Sequence, residues 1–212
     1  MSWNGASWSR VASPNPGGSS KSNYLIRVVV TTPTNAWAVG RYFDGTAYQT
    51  LIEHWNGASW SRVASPNPGG ISHDNGLAGV SAISSTDAWA VGSFFNGTVN
   101  QTLIEHWNGT SWSRVASPNL GGSSHPNGLV GVTATSTVNA WAVGNFFDGT
   151  AYQTLIEHWN GASWSRVASP NPGGPSNNNF LFGVAATSSA NAWGVGYYSN
   201  GTSSLTLALH CC

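Results

Sequence analysis

Three Glu-His pairs, Glu53-His54, Glu105-His106 and Glu157-His158, recur at a spacing of 52 residues, and His210 stands one spacing further with Leu209 in the Glu position. A carboxylate beside an imidazole is raw material for general acid and base catalysis. Adjacent residues on a strand point to opposite faces, however, so a Glu and the His that follows it cannot work on one substrate atom. A hairpin closed by Asn56-Gly57 is expected to set Trp55 opposite Ala58, Glu53 opposite Trp60 and Leu51 opposite Arg62. Glu53 and Arg62 would then lie diagonally on one face beside Trp60, within reach of an ion pair and a cation-π contact. A structural role is expected for these residues.

His73 with Asp74, and His125, occupy equivalent loop positions, where two imidazoles of neighbouring units could share a metal. The other two units carry Lys21 and Asn177 there, so no four-ligand set follows and surface histidines are expected. No nucleophile elbow, P-loop or dinucleotide fingerprint occurs. Asn96-Gly97-Thr98, Asn108-Gly109-Thr110 and Asn200-Gly201-Thr202 match the glycosylation sequon, but each also reads as a hairpin turn that wants Asn-Gly for backbone reasons. No catalytic, cofactor or metal residue is assigned. The most suggestive surface is a set of turns carrying Tyr42, Phe43, Asp44 and Tyr48, then Phe94, Phe95 and Asn96, then Phe146, Phe147, Asp148 and Tyr152, then Tyr197, Tyr198 and Asn200. Aromatic faces beside Asn and Asp suit sugars, and four copies would give avidity. At least one aromatic per turn is expected to pack between strands instead.

These residues sit in a chain of 212 residues with seven basic and seven acidic side chains, 26 Gly and 12 Trp. A formal net charge of zero excludes the clustered positive charge that nucleic-acid or acidic-membrane binding needs. The aromatic content argues against disorder, and no apolar run approaches the roughly 20 residues that span a bilayer. Cys211 and Cys212 are adjacent and badly placed to bridge each other. Met1 to Gly5 has neither a basic nor an apolar leader region, so no secretory signal is expected in this chain.

Comparing the chain with itself explains the spacing. Trp3, Trp55, Trp107 and Trp159 each open a Trp-Asn-Gly stretch, and Trp8 and Trp37 recur with the same period. The units 3–54, 55–106, 107–158 and 159–210 align without a gap and are identical in all four copies at 27 of 52 positions. Within 55–106 and its continuation, strands are expected over Leu77–Ile83, Ala88–Phe95, Gln101–Trp107 and Ser111–Ala116, with Ser117–Gly122 crossing to the next unit. The second strand should be bulky on one face (Trp89, Val91, Phe95) and thin on the other (Ala88, Ala90, Gly92). Four short antiparallel strands per unit of this length indicate an all-β protein, a β-propeller of four blades per chain.

The segments HWNGASWSRVASPNPGG, LVGVTATS and NAWAVG resemble the highly repetitive β-propeller repeats of bacterial proteins and the symmetric propellers designed from them. The resemblance covers the whole chain and implies a fold, not an activity; Leu209 and the Cys pair depart from the pattern. The chain starts at a fourth-strand hairpin, Trp3 to Val11, and stops at a third strand, Thr206 to His210. The N-terminal strand is therefore expected to close the last blade, removing two sheet edges. Closure within one chain gives a four-bladed monomer, and exchange between two chains gives an eight-bladed homodimer. The thin second-strand face favours the closely stacked blades of the dimer. The expected function is a noncatalytic structural, self-assembling or interaction scaffold without cofactors, with a multivalent lectin-like glycan binder as the alternative and no nucleic-acid or membrane partner.

Overall fold

The computed structural model describes residues 2–3 and 5–211. Ser2–Trp3 (β1) and Trp8–Ser9 (β2) form a two-stranded hairpin. The first blade follows as Asn23–Thr32 (β3), Asn35–Phe43 (β4), Tyr48–Trp55 (β5) and Trp60–Val63 (β6). The second consists of Asn75–Ala82 (β7), Ala88–Phe95 (β8), Asn100–Trp107 (β9) and Trp112–Val115 (β10). The third is Asn127–Ser136 (β11), Asn139–Phe147 (β12), Tyr152–Trp159 (β13) and Trp164–Val167 (β14). The fourth has three strands, Asn179–Ser188 (β15), Asn191–Ser199 (β16) and Ser204–Cys211 (β17). Each sheet is an antiparallel meander in chain order, as a propeller blade requires.

The turns within a blade share one device. In the third-to-fourth-strand turns, Asn56 Oδ1 accepts the Ala58 and Ser59 N–H groups at 2.9 Å, and Asn108 and Asn160 do the same in their units. Gly57 follows at φ 96°, a conformation that favours glycine. The side-chain cap enlarges the loop beyond a two-residue turn and shifts the register from the one expected: Trp55 pairs with Trp60, Glu53 with Arg62 and Ile52 with Val63. Asp44, Asn96, Asp148 and Asn200 cap the second-to-third-strand turns in the same way.

Blades are joined by a polar clamp. The Thr50 N–H donates to Asn67 Oδ1 at 2.7 Å and its hydroxyl meets Ser65 Oγ at 2.6 Å, which fastens the Ser-Pro-Asn crossing onto β5. Thr102 with Ser117 and Asn119, and Thr154 with Ser169 and Asn171, repeat it.

Packing follows the bulky and thin faces. Trp37, Val39 and Ile52 of the first blade meet Leu77, Ala88, Ala90, Leu103 and Trp112 of the second, and Trp89, Val91 and Ile104 meet the equivalent residues of the third. Trp112 stands edge-on to Trp37 at 5.2 Å, and Trp164 to Trp89 at 5.2 Å. The third interface contains Val143, Leu181 and Leu207 but, among the described residues, no fourth-strand indole.

Closure of the last blade within one chain, one of the two expected routes, is not formed. Among the described residues β17 has no strand on its outer side, because β2 pairs with β1 and Val11 lies against the first blade. Blades pack one to two, two to three and three to four, whereas among the described residues the first and fourth form no comparable interface, so the chain forms an open arc in which β2 and β17 belong to opposite ends.

Gly92 marks the tightest point of a blade. A β-bulge between Leu77 and Gly79 presses β7 onto β8, and a Cβ at Gly92 would overlap the Gly76 carbonyl oxygen and stand 2.8 Å from Leu77 Cα. Gly92→Ala should therefore lower stability by at least about 2 kcal/mol in urea unfolding. A midpoint equal to wild type would refute this account of the bulge.

Candidate functional site

The cross-strand register places Glu and His on opposite faces: Trp37 pairs with His54, and Ala38 with Glu53. His54 Nε2 lies 2.7 Å from Asn35 Oδ1 and its ring is 4.4 Å from Trp37. Because the amide oxygen accepts, Nε2 carries the proton, and burial holds the His54 and His158 pKa values below the ordinary range. His158 with Asn139 and Trp141, and His210 with Asn191 and Trp193, repeat the arrangement. In the second blade the partner is Asp87, 2.9 Å from His106. These imidazoles brace the second strand against the third.

Glu53, Glu105 and Glu157 are fully buried, and both oxygens of each lack a hydrogen-bond partner among the described residues. The expected Glu53–Arg62 ion pair is not formed, although the two residues are directly opposed. Arg62 instead extends over Tyr42, its Cζ 4.7 Å from the ring centroid, and donates to Tyr42 Oη at 2.9 Å. Arg114 lies over Phe94 and Arg166 over Phe146 in the same manner. The arginine reaches an aromatic edge near solvent while the shorter carboxyl stays in the interface, where ionisation is penalised. Burial raises Glu53 to about 7 and Glu157 to about 8, and pushes Glu105 well up. Glu53 moves less than Glu157 because no blade stands in front of it.

The loop histidines do not converge. His73 Nδ1 lies 3.0 Å from the Gly69 carbonyl and its ring 5.6 Å from Phe95, and His125 contacts Gly121 and Phe147 equivalently. Asn177 donates to Gly173 at the same repeat position, and Lys21 donates to the Asp44 carbonyl across the neighbouring turn. His73, His125 and Asn177 each clasp their own loop, Lys21 reaches the adjacent turn, and no cluster of three metal-ligating side chains occurs among the described residues.

The turn aromatics divide into two sets. Tyr42, Phe94 and Phe146 are buried on the thin face under the arginines. Phe43, Tyr48, Phe147 and Tyr152 remain nearer solvent, with Tyr152 5.4 Å from Phe180 and Phe180 5.2 Å from Tyr197. Sequence reasoning missed Tyr24, Phe180 and Phe182, which the first strands bring beside these turns.

No protein-family model and no curated protein matches the sequence. Among solved structures the chain is similar to a candidate glycosidase from Bacteroides thetaiotaomicron, with TM-score 0.43, 10% identity, and 86% of this chain and 65% of that one covered. A fucose lectin from Kordia zhangzhouensis in complex with methyl-fucoside is similar with TM-score 0.35, 14% identity, and 64% of this chain and 92% of that one covered. A candidate glycoside hydrolase from Bacteroides ovatus gives TM-score 0.32 at 10% identity, over 88% and 85% of the two chains. At these scores the likenesses carry no inference about activity or ligand. The chain spans just under two thirds of the first of these proteins.

The buried glutamates give stability a definite pH dependence. Their folded pKa values lie above the ordinary 4.5, so between that value and about 8 the folded state holds more protons than the unfolded one. Stability should be greatest below pH 4.5 as far as these groups are concerned, fall as pH rises through 7 to 8, and then level off. Glu157→Gln should raise the melting temperature at pH 9 and leave it nearly unchanged at pH 5, a gain of at least about 1 kcal/mol at the higher pH. Equal effects at both pH values would refute the neutral-carboxyl reading.

Proposed function

We propose that the chain is a noncatalytic repeat propeller, one repeat domain over 1–212, of the highly repetitive bacterial type or a fragment or designed variant of it, that acts as a self-assembling scaffold. Two copies exchange their end strands and complete an eight-bladed homodimeric ring. The observation that carries this reading is that both ends of the arc expose residues which every internal interface buries. Leu25 is 44% exposed where Leu77, Leu129 and Leu181 are at most 2%, and Trp193 is 50% exposed where Trp37, Trp89 and Trp141 are at most 5%. Val28 and Val195 are exposed at the same two ends, at 60% and 51%.

The strand exchange has specific support. Trp8-Ser9-Arg10-Val11 repeats the sequence of β6, β10 and β14. Trp8 is 66% exposed, whereas Trp112 and Trp164 are 5% exposed in the clefts in front of their blades. The corresponding cleft between the third and fourth blades is open, lined by Trp141, Val143, Ile156, Ala192 and Leu209. Thr206 is exposed, whereas Thr50, Thr102 and Thr154 are buried in the polar clamp. Ser13 and Asn15 of a second copy carry the side chains that would complete that clamp.

A second reading, carbohydrate binding, is favoured by the partly exposed aromatic ladder of Tyr152, Phe180 and Tyr197, whose ring faces suit the CH surface of a sugar.

Light scattering after size exclusion should give twice the chain mass of 22.1 kDa. Trp8→Ala should shift the protein toward the single-chain mass, with a weakening of association of roughly 100-fold for a lost interface indole. A wild-type mass of 22.1 kDa persisting at high concentration would overturn the dimeric ring and leave the single chain as an open arc.

A further inference from the structure

The four units differ most tellingly where three blades meet at one polar cleft. Arg41, Ser93 and Asn145 occupy the same repeat position in successive blades, and all three line this cleft together with Asp74 and Asn100. The cleft measures about 280 Å³, close to the lower end of small-molecule sites at roughly 300 Å³.

Two glycines open it. Gly76 stands beside Arg41, where an added Cβ would lie 3.4 Å from Arg41 Cδ, and Gly128 stands beside Ser93, where a Cβ would lie 3.8 Å from Ser93 Cβ. Neither has a positive φ. The same position carries Tyr24 in the first unit and Phe180 in the fourth. The fold therefore accepts an aromatic ring here, and the cleft exists because the two central units lack one.

Its chemistry is balanced. The Arg41 guanidinium lies 4.4 Å from the Tyr48 ring centroid and 5.9 Å from that of Tyr24, exposed and without an ion pair among the described residues. Asp74 is also exposed, and its Oδ1 accepts the Tyr48 N–H at 2.9 Å, which fixes the carboxylate at the rim. Asn100 and Asn145 can donate and accept, while Ile26, Ala78 and Val130 supply an apolar wall from the three first strands. One cation and one anion cancel, so a charged ligand gains at one group what it loses at the other. A neutral ring with hydroxyls that both donate and accept, and with an apolar CH face, satisfies every wall.

We propose that this cleft is a single binding site per chain for a neutral hexose, built across the first three blades. The proposal rests on the carbohydrate reading above for its class of ligand, but replaces four equivalent turn sites with one asymmetric cleft. Saturation-transfer NMR and calorimetry on the full chain would use methyl mannoside, methyl galactoside and methyl glucoside as neutral probes, with glucuronate and glucosamine as charged ones. At least one neutral probe should bind saturably at one site per chain. Gly76→Phe, which installs the fourth unit's own residue, should weaken binding at least tenfold while leaving circular dichroism and melting unchanged. Arg41→Ser, which installs the second unit's residue, should weaken it without blocking the cleft. Tyr152→Ala should have no effect. Binding that survives Gly76→Phe but is lost in Tyr152→Ala would overturn the cleft and keep the carbohydrate reading. Absence of binding by every neutral probe, or binding by the charged probes alone, would overturn the proposal.

Discussion

The structure depends on how one indole is held between two sheets. Trp37 and Trp89 each project from a second strand, lie against the histidine of their own third strand, and meet two further indoles of the next blade, Trp37 at 4.9 and 5.2 Å and Trp89 at 5.0 and 5.2 Å. An indole is large enough to bridge two sheets, and the alanines facing it let the sheets approach. Offset and edge-on ring pairs add about 0.5 to 1.5 kcal/mol each beyond the area they bury. Each inner blade is thus half of two interfaces, and the two end blades of the arc each take part in only one.

That constraint explains the unusual electrostatics. Glutamate lies on the thin face beside alanine, turned toward the preceding blade, and the arginine opposite it is drawn to an aromatic ring at the edge. The carboxyls are left in apolar surroundings, where burial raises their pKa values. Their burial is the basis of the predicted fall of stability with rising pH, and the fourth blade carries Leu209 in the glutamate position.

The same constraint separates two kinds of surface. Positions between blades are nearly invariant among the units, because each indole must meet the same partner. Positions on the first strand and at the second-to-third-strand turns are released from that requirement, and there Arg41, Ser93, Asn145 and Tyr197 diverge.

The periodicity of tryptophan and the alternation of small and bulky residues were enough to determine the blades, their order and the faces they bury, because those features follow from local pairing and a period of two. The opposite facing of Glu53 and His54 was legible for the same reason. Three things were settled only by tertiary structure. The hairpin register depended on Asn56 capping two backbone N–H groups, which displaced Trp60 to face Trp55 and brought Arg62 opposite Glu53. The absence of an ion pair there followed from an aromatic ring, Tyr42, that sequence spacing did not place within reach of Arg62. The open arc followed from the packing of whole blades, a long-range property that no single unit encodes, and with it came the exposure of Leu25 and Trp193 and the meeting of Arg41, Asp74 and Asn145 in one cleft.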